Sequence, residues 1–570
     1  MVQASSLYAR APVNVAIVAT HPTPLATTYR TAGHWSQQSL GALFARTAQR
    51  LPERDAIIDG TRRLTFDELD GLSARAAHGL HRLGFRAGDV IAYQLPNWWE
   101  AAVMFLAIAR LGATVNPLLP IFREAELRFT LQQSGAQALV IPGILRGCDH
   151  RDLINGLRRD LPALREVFVA RDHAPVGMRA FATLLDTPGK QTSSAVPRAV
   201  DPDSIALLMY TSGTTAHPKG VLHTHNSLAA EVLSLERVHQ LTPVDRTLMP
   251  SPLTHISGVL HGILTPALLG TSAVLMERWE ASRALELIAG ERITYMVGAP
   301  TFLQDLIANL AVPSDQREQP IEKAPAAGPP AAGPGDYGSL RLFSCGGAGV
   351  SPALMQRARE CFPNCVAKRV YGSTEFPTLT TTDAADALTH GIDTEGRPIW
   401  PAELRIADAG GNVLPAGTEG EVQGRGPECF AGYLDTALNA DSFTADGWFR
   451  TGDLGTIDAA GYLRITGRLK DIIIRKGEKI SVKEVEDAIA AHPAVAEVAV
   501  IPRPDAHTGE RACAVIRLRP GSSVDLPTLT AFLGAQGLAK QKWPELLEVV
   551  DDFPRTDSGK IQREKLKERS

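Results

Sequence analysis

Cysteine, charge of one dominant sign and long hydrophobic runs are all scarce in this sequence. Its 570 residues hold six cysteines, Cys148, Cys345, Cys361, Cys365, Cys429 and Cys513, of which only Cys361 and Cys365 stand close together. That scatter argues against a disulfide framework. A zinc site is also unsupported, because no paired C-x-x-C or Cys/His clusters occur. Reduced thiols in a cytoplasmic setting are the expectation. Lys and Arg number 58 against 62 Asp and Glu, a net charge of −4. Such a balance argues against a protein whose main task is gripping nucleic acid or anionic lipid. Any phosphate it binds must be met by local groups. The N-terminus lacks the long apolar core of a secretory signal. The most apolar long stretch, Ala101 to Ala113, is interrupted by Arg110 and falls short of the ~20 apolar residues that cross a bilayer. No integral membrane segment is expected.

What is present is apolar mass. Hydrophobic residues make up 44% and charged residues 21% of the chain, enough to bury large cores, and at ~150 residues per domain the length implies at least two units. From Ser39 to Pro142 helical periodicity alternates with short apolar runs, the pattern of a parallel sheet. Thr65-Phe-Asp-Glu68 reads as a capping box opening a helix to about Leu83, and Val90 to Leu95 as a buried strand. Asn97 is placed as the cap of the next helix, which ends at Gly112; another helix starts near Glu124, and a strand covers Ala138 to Ile141. Repeated β-α-β units imply a doubly wound α/β sheet, which binds ligands at the carboxyl ends of its strands. Residues 312–338 are rich in Pro, Ala and Gly and read as a surface insertion. From about 391 to 466 short alternating strands with Gly turns predict a small β subdomain. Both lie within an N-terminal domain, 1–469, which is followed by an α+β C-terminal domain, 470–570, with a helix over Val482 to Ala491 and strands over Val495 to Val500 and Ala512 to Leu518.

The densest chemical signal is Tyr210-Thr-Ser-Gly-Thr-Thr-Ala-His-Pro-Lys-Gly-Val221, directly after the apolar run Ile205 to Met209. Gly213 lets backbone N–H groups face an anion, Thr211, Ser212, Thr214 and Thr215 add hydroxyl donors, and Lys219 adds charge. This is a phosphate loop by composition, against a plain Ser/Thr-rich hairpin turn. It differs from the Walker A loop, because Pro-Lys-Gly replaces Gly-Lys-Ser/Thr.

The loop resembles the signature of the adenylate-forming superfamily, which contains acyl-CoA synthetases, peptide-synthetase adenylation domains and luciferases. Tyr371-Gly-Ser-Thr-Glu375, Thr451-Gly-Asp453-Leu-Gly455, Gly467-Arg468-Leu-Lys470-Asp471 and Pro554-Arg-Thr-Asp-Ser-Gly-Lys560-Ile561 resemble further motifs of that superfamily, in the same order. The resemblance runs from about Leu40 to Leu566. It implies a large α/β domain followed by a mobile smaller one, with ATP, Mg2+ and coenzyme A as cofactors. Lys560 would bridge the substrate carboxylate and the α-phosphate. Glu375 would be the magnesium-associated carboxylate, and Thr374 would donate to the α-phosphate beside Tyr371, Gly372 and Ser373. Asp453 would accept from the ribose hydroxyls with Arg468 near the same sugar, and Gly346-Gly347-Ala348 would pack against adenine. Lys470 would be the hinge, and Lys476-Gly477 would lie along the pantetheine channel. His255, in Pro252-Leu-Thr-His-Ile-Ser-Gly258, would stand at the carboxylate pocket; a packed core histidine is its rival. The pair His223 and His225 has no third ligand in the sequence and matches a Thr-His at a helix start in relatives. The acyl pocket is expected near His255, Ala299, Cys345 and Tyr371 to Thr378.

This chemistry suits an anionic carboxylate meeting ATP, which needs charge neutralisation and alignment more than it needs a base. An amino-acid substrate is disfavoured, because the segment Pro252 to Gly258 carries no acid for its ammonium. Tyr93 to Glu100 and Val115 to Glu126 resemble the branch of cyclohexanecarboxylate-CoA and medium-chain fatty acid-CoA ligases. The expectation is therefore an ATP-dependent acid-thiol ligase, working on a small carboxylic acid with ATP and CoA. An acyl-AMP ligase that loads a carrier protein stays open, as does a homodimer. A pseudoenzyme would be marked by loss of Lys560, Glu375 or Asp453, and all three are present.

Overall fold

In the computed structural model the described residues are 23–186, 199–211, 218–310, 336–469, 472–475, 478–505, 508–555 and 560–568. Two large sheets of nine and eight strands dominate, accompanied by sheets of four and five strands. Most pairings inside the two large sheets are parallel, as between Leu342–Gly346 and Val366–Tyr371 or between Val90–Tyr93 and Thr114–Pro117. The α/β reading of the sequence holds. Among the described residues no helix is long and apolar enough to cross a membrane, and none of the six cysteines forms a disulfide.

Local sequence decides many element ends. Thr65 and Glu68 form the reciprocal capping box, with each backbone N–H donating to the other's side chain at 3.0 and 3.2 Å. The helix Phe66–Arg82 follows. The helix Trp99–Leu111 is buried on nearly every side and stops at Gly112, whose φ of 74° suits a residue without a Cβ. One apolar core joins Ile57, Ala273 and Tyr295 of the nine-stranded sheet to Ile91, Val115 and Ala206 of the eight-stranded one, with this helix between them. Phe343, Cys345 and Ala367 face the other side of the nine-stranded sheet, in a separate cluster.

The expected cap at Asn97 is not what forms. Trp98 occupies the cap position without a side-chain bond, and Asp59 of a neighbouring strand accepts from the Trp99 N–H at 3.1 Å. Asn97 instead donates to the carbonyls of Met249, Ser251 and Met276 and accepts from the Leu253 N–H at 2.7 Å. It ties the two large sheets together just upstream of His255.

Glu403–Ala407, Gly420–Arg425, Phe449–Ile457 and Leu463–Arg468 form the four-stranded antiparallel sheet. The five-stranded sheet is built on the long antiparallel pair Val495–Asp505 and Gly509–Leu518, with the helix Val482–Ala490 against it. Those strands run beyond their apolar stretches, because backbone pairing continues through Arg503 opposite Arg511 and Pro504 opposite Glu510. The Pro/Ala/Gly-rich segment lies outside the described residues up to position 335.

Asn97→Ala leaves four buried backbone groups to be satisfied again, and an unmet group costs ~1–3 kcal/mol. A loss on the order of 3 kcal/mol is expected as a lower urea midpoint. An unchanged midpoint would contradict the bridging role.

Candidate functional site

Three strands end at one place. Thr211 closes the strand Ile205–Thr211, Gly346 closes Leu342–Gly346 and Tyr371 closes Val366–Tyr371, so the site opens at the carboxyl ends of both large sheets. Thr211 pairs with Lys219 at the neck of the phosphate loop. The intervening Ser212, Gly213, Thr214 and Thr215 lie outside the described residues, as do Lys470, Lys476 and Gly477.

Lys219 leans over the ring of Tyr433, its Nζ 4.9 Å from the centroid, a cation–π contact. The Tyr433 hydroxyl donates to Glu375 Oε1 at 2.7 Å, and its own proton is held tightly by burial and the adjacent carboxylate. Tyr433 thus connects the loop lysine to the acid of the Tyr371-Glu375 motif. Sequence reading missed it because its place follows from sheet pairing, with Gly432–Tyr433 set beside Val221 and Leu222. Gly-Tyr after an aromatic was its only local signal.

The segment after Tyr371 is shaped by backbone crowding. A Cβ on Gly372 would stand 2.1 Å from the Pro377 carbonyl oxygen, and Ser373 Oγ accepts from the Phe376 N–H at 3.2 Å. His223 is drawn into the same structure: its Nε2 bonds the Thr374 carbonyl at 2.7 Å and its Nδ1 the Ser227 hydroxyl at 3.2 Å. His225 begins the helix His225–His239 behind the Thr224 cap. Both rings are buried, and His223 positions the motif.

On the other side Asp453 is buried and doubly held. Tyr371 donates its hydroxyl to Oδ2 at 2.7 Å, and Arg468 Nε pairs with Oδ1 at 2.8 Å. Burial and then the Asp453 charge push the Tyr371 hydroxyl well above the usual phenol range. Gly346 has no room for a side chain, since a Cβ would meet the Val370 carbonyl oxygen at 2.4 Å. Gly347 turns outward at φ 79°, and it and Ala348 are exposed.

Lys560 reaches this turn from the loop before the C-terminal helix Arg563–Lys567. Its Cε lies 3.6 Å from where a Cβ on Gly347 would stand. Burial and then Arg468 push its ammonium below the usual lysine range, while Glu375 and Asp453 pull the other way. His255 is half-buried at the wall of the cleft and caps the helix Ile256–Val259, with Nδ1 2.9 Å from the Ser257 hydroxyl. Burial, helped by the Lys560 charge, depresses its pKa to about 3. His255, Glu375, Asp453, Arg468 and Lys560 therefore share one electrostatic neighbourhood. Cys345 does not belong to it, because its side chain points into the apolar cluster behind the nine-stranded sheet.

The arrangement offers a lysine beside a glycine turn, a carboxylate held by a tyrosine and a loop lysine, and a buried aspartate braced by an arginine. Comparison with known proteins gives such a site its family: the AMP-binding enzyme profile matches residues 44–434, and that of the AMP-binding enzyme C-terminal domain residues 484–560. The chain belongs to the AMP-binding enzyme family. This AMP-binding enzyme is 36% identical over 539 residues to a medium-chain fatty-acid–CoA ligase of Escherichia coli (strain K12), covering 94% of this chain and 91% of the relative. It is 33% identical over 558 residues, 96% of each chain, to a salicylyl-CoA synthase / salicylate adenylyltransferase of a Streptomyces species. The solved structure of ATP-bound MatB from Rhodopseudomonas palustris superposes with a TM-score of 0.79 at 27% identity, covering 93% of this chain and 99% of that one. The chain is accordingly an acyl- or aryl-CoA ligase or a related ATP-dependent adenylating enzyme.

Two buried histidines predict that this AMP-binding enzyme loses stability in acid. Burial holds His255 at about 3 and His225 at about 4, both below the ordinary 6.5. Below pH 6.5 the unfolded chain takes up protons that the folded chain refuses, so stability falls as pH drops from 6.5 toward 4. At pH 5 the loss is roughly 1–2 kcal/mol per histidine. The urea midpoint should fall between pH 7.5 and 5, and less so in His255→Gln; a pH-independent midpoint would contradict this.

Proposed function

We propose that the protein is an AMP-forming acyl-CoA ligase for a cyclohexanecarboxylate-like, aromatic or medium-chain fatty acid, acting in the cytoplasm. The observation that carries this reading is the placement of Lys560 at the Gly346-Gly347 turn among Glu375, Asp453, Arg468 and His255.

In the first step a carboxylate oxygen of the acid attacks the α-phosphorus of ATP, and pyrophosphate leaves. Both reactants are anionic, so the barrier is lowered mainly by fixed positive charge and alignment. Lys560 supplies that charge between carboxylate and α-phosphate. Thr211, Lys219 and the loop residues Ser212 to Thr215 receive the outgoing phosphates, and Thr374 donates to the α-phosphate. Asp453, held by Tyr371 and Arg468, keeps two acceptor oxygens in place for the ribose hydroxyls. Gly346, Gly347 and Ala348 offer adenine a flat backbone surface.

Glu375 fits a magnesium ion, since a carboxylate is the hard oxygen donor that Mg2+ takes beside phosphates. Mg2+ bound there would neutralise phosphate charge. Tyr433 and Lys219 fix the carboxylate that would hold it. His255, neutral at pH 7, can hydrogen-bond the acid's carboxylate without competing with Lys560 for its charge.

In the second step the CoA sulfur attacks the acyl carbon, AMP leaves, and the thiol proton passes to solvent. A thiol of ordinary pKa ~8.5 is partly ionised at neutral pH. Lys470 would be the hinge that exchanges Lys560 for Lys476 and Gly477, staging the two reactions in one site.

Pyrophosphate and AMP release with MgATP, across cyclohexanecarboxylate, benzoate and C4 to C12 fatty acids with and without CoA, tests the proposal. Turnover that requires CoA and one acid class is expected. Acid-dependent release that stalls after one turnover with CoA present would point to a carrier protein as the acceptor and overturn the CoA assignment.

A further inference from the structure

Behind the proposed reaction centre the chain buries a group of polar side chains that the adenylation chemistry does not use. Three segments of the site lead into it. Two residues inward from Gly346, Ser344 stands on the same face of its strand, in register with Val297 and Lys368, and Leu342 beyond it is in register with Tyr295. Six residues past His255, His261 sits in the π-helical turn Leu260–Leu264, a distortion frequent at functional sites. Its Nδ1 lies 3.2 Å from the Tyr295 hydroxyl. Three residues past Glu375, Thr378 faces Glu231 of the helix His225–His239. That helix also brings His239, whose ring centroid is 5.5 Å from that of Tyr295.

All of these groups are buried: Glu231 and Tyr295 at 0% exposure, Ser344 at 1%, His239 at 3% and His261 at 4%. Neither carboxyl oxygen of Glu231, neither ring nitrogen of His239 and not the Ser344 hydroxyl has a partner at full hydrogen-bonding geometry among the described residues; the Thr378 hydroxyl and N–H stand near enough to steady the Glu231 carboxyl without meeting it squarely. Each such group costs ~1–3 kcal/mol to bury unmet, and leucine would fill the same space without that cost. Among the described residues no cation is committed to Glu231. Lys368 gives its ammonium to the carbonyls of Thr382 and Val238, and the second nearby acid, Glu428, is bonded to the Ser234 hydroxyl at 2.6 Å. Burial, with Glu428 adding to it, raises the Glu231 carboxyl well above the usual range. Burial, with Lys368 and His261 adding to it, holds His239 neutral. A protonated carboxyl and a neutral imidazole each offer one donor and one acceptor, which matches a neutral hydroxyl better than a charged group.

We propose that Glu231, His239 and Ser344 form the far wall of the acyl pocket and select carboxylic acids that carry a hydroxyl in the half remote from the carboxylate. This rests on the ligase reading and narrows its substrate class. At ~3.3 Å per strand residue, Ser344 lies ~7 Å and the level of Tyr295 ~13 Å inward from Gly346, the reach of an arylpropanoate or a medium-chain acid. A site built to bond a hydroxyl rejects the analogue that lacks it, because its own groups are then left unpaired.

The test is kcat/KM of the CoA-dependent reaction for matched acids: octanoate against its terminally hydroxylated form, and phenylpropanoate against its para-hydroxy form. Each pair is run on wild type, Glu231→Leu and Glu231→Gln. Wild type should favour the hydroxylated member of at least one pair by about tenfold or more. Leu should abolish or invert that ratio, and Gln, which keeps a donor and an acceptor, should retain part of it. Equal or better use of the plain acids by wild type would overturn the inference while leaving the ligase reading intact. So would a ratio unchanged by Leu, or a stronger preference for the terminally aminated octanoate. Should Leu fail to fold, the wild-type and Gln ratios decide alone. No turnover with any acid would overturn the ligase reading itself, and the inference with it.

Discussion

The site depends on bringing one ammonium group from a loop near the C-terminus to the carboxyl ends of the large sheets, at the face where they converge. Lys560 is held there against its own desolvation by Glu375 and Asp453, and those acids are in turn fixed by groups from elsewhere in the fold. Tyr433 fixes Glu375, and Tyr371 and Arg468 fix Asp453. The lysine's own approach is braced from behind. Arg555 and Ile561 form an isolated bridge around its loop, and Arg555 pairs with Glu497, which also holds Arg517. Across from that cluster stands Asp305 of the helix Pro300–Leu310, bonded to the Trp279 ring N–H at 2.8 Å and feeling the charges of Glu497, Arg555 and Arg517. The side chains that carry Lys560 into the cleft are thus also those that face the larger sheets.

Much of this was legible in the sequence where the signal is local. The Thr65–Glu68 box, the stop at Gly112 and the apolar strand before Thr211 each depend on a few neighbouring residues, and each forms where the sequence places it. The motif residues Thr211, Lys219, Gly346, Tyr371, Glu375, Asp453, Arg468 and Lys560 converge although hundreds of residues separate them. Composition alone says nothing of that convergence; the resemblance to the superfamily did.

What stayed hidden is what non-local packing decides. Asn97 looked like a cap because asparagine before a helical pattern usually is one, yet its partners are more than 150 positions away. Tyr433 depends on a sheet register, and Cys345 on which way a pleat points. Nothing in the sequence around Glu231, His239 and His261 marks them as a group. Their burial beside one another appears only when the helix His225–His239 lies against the nine-stranded sheet. Enclosed polar groups whose hydrogen bonds are incomplete, as those of Glu231 and His239 are, mark places where a fold departs from its own stability rules.

The central claim is that Lys560 serves the first half-reaction and gives way in the second. The most direct measurement compares Lys560→Ala with wild type in two assays: acid-dependent pyrophosphate release from ATP, and CoA thioester formation from supplied acyl-AMP. A loss on the order of a hundredfold or more in the first, with the second largely retained, is the predicted result. Equal loss in both assays would contradict the account.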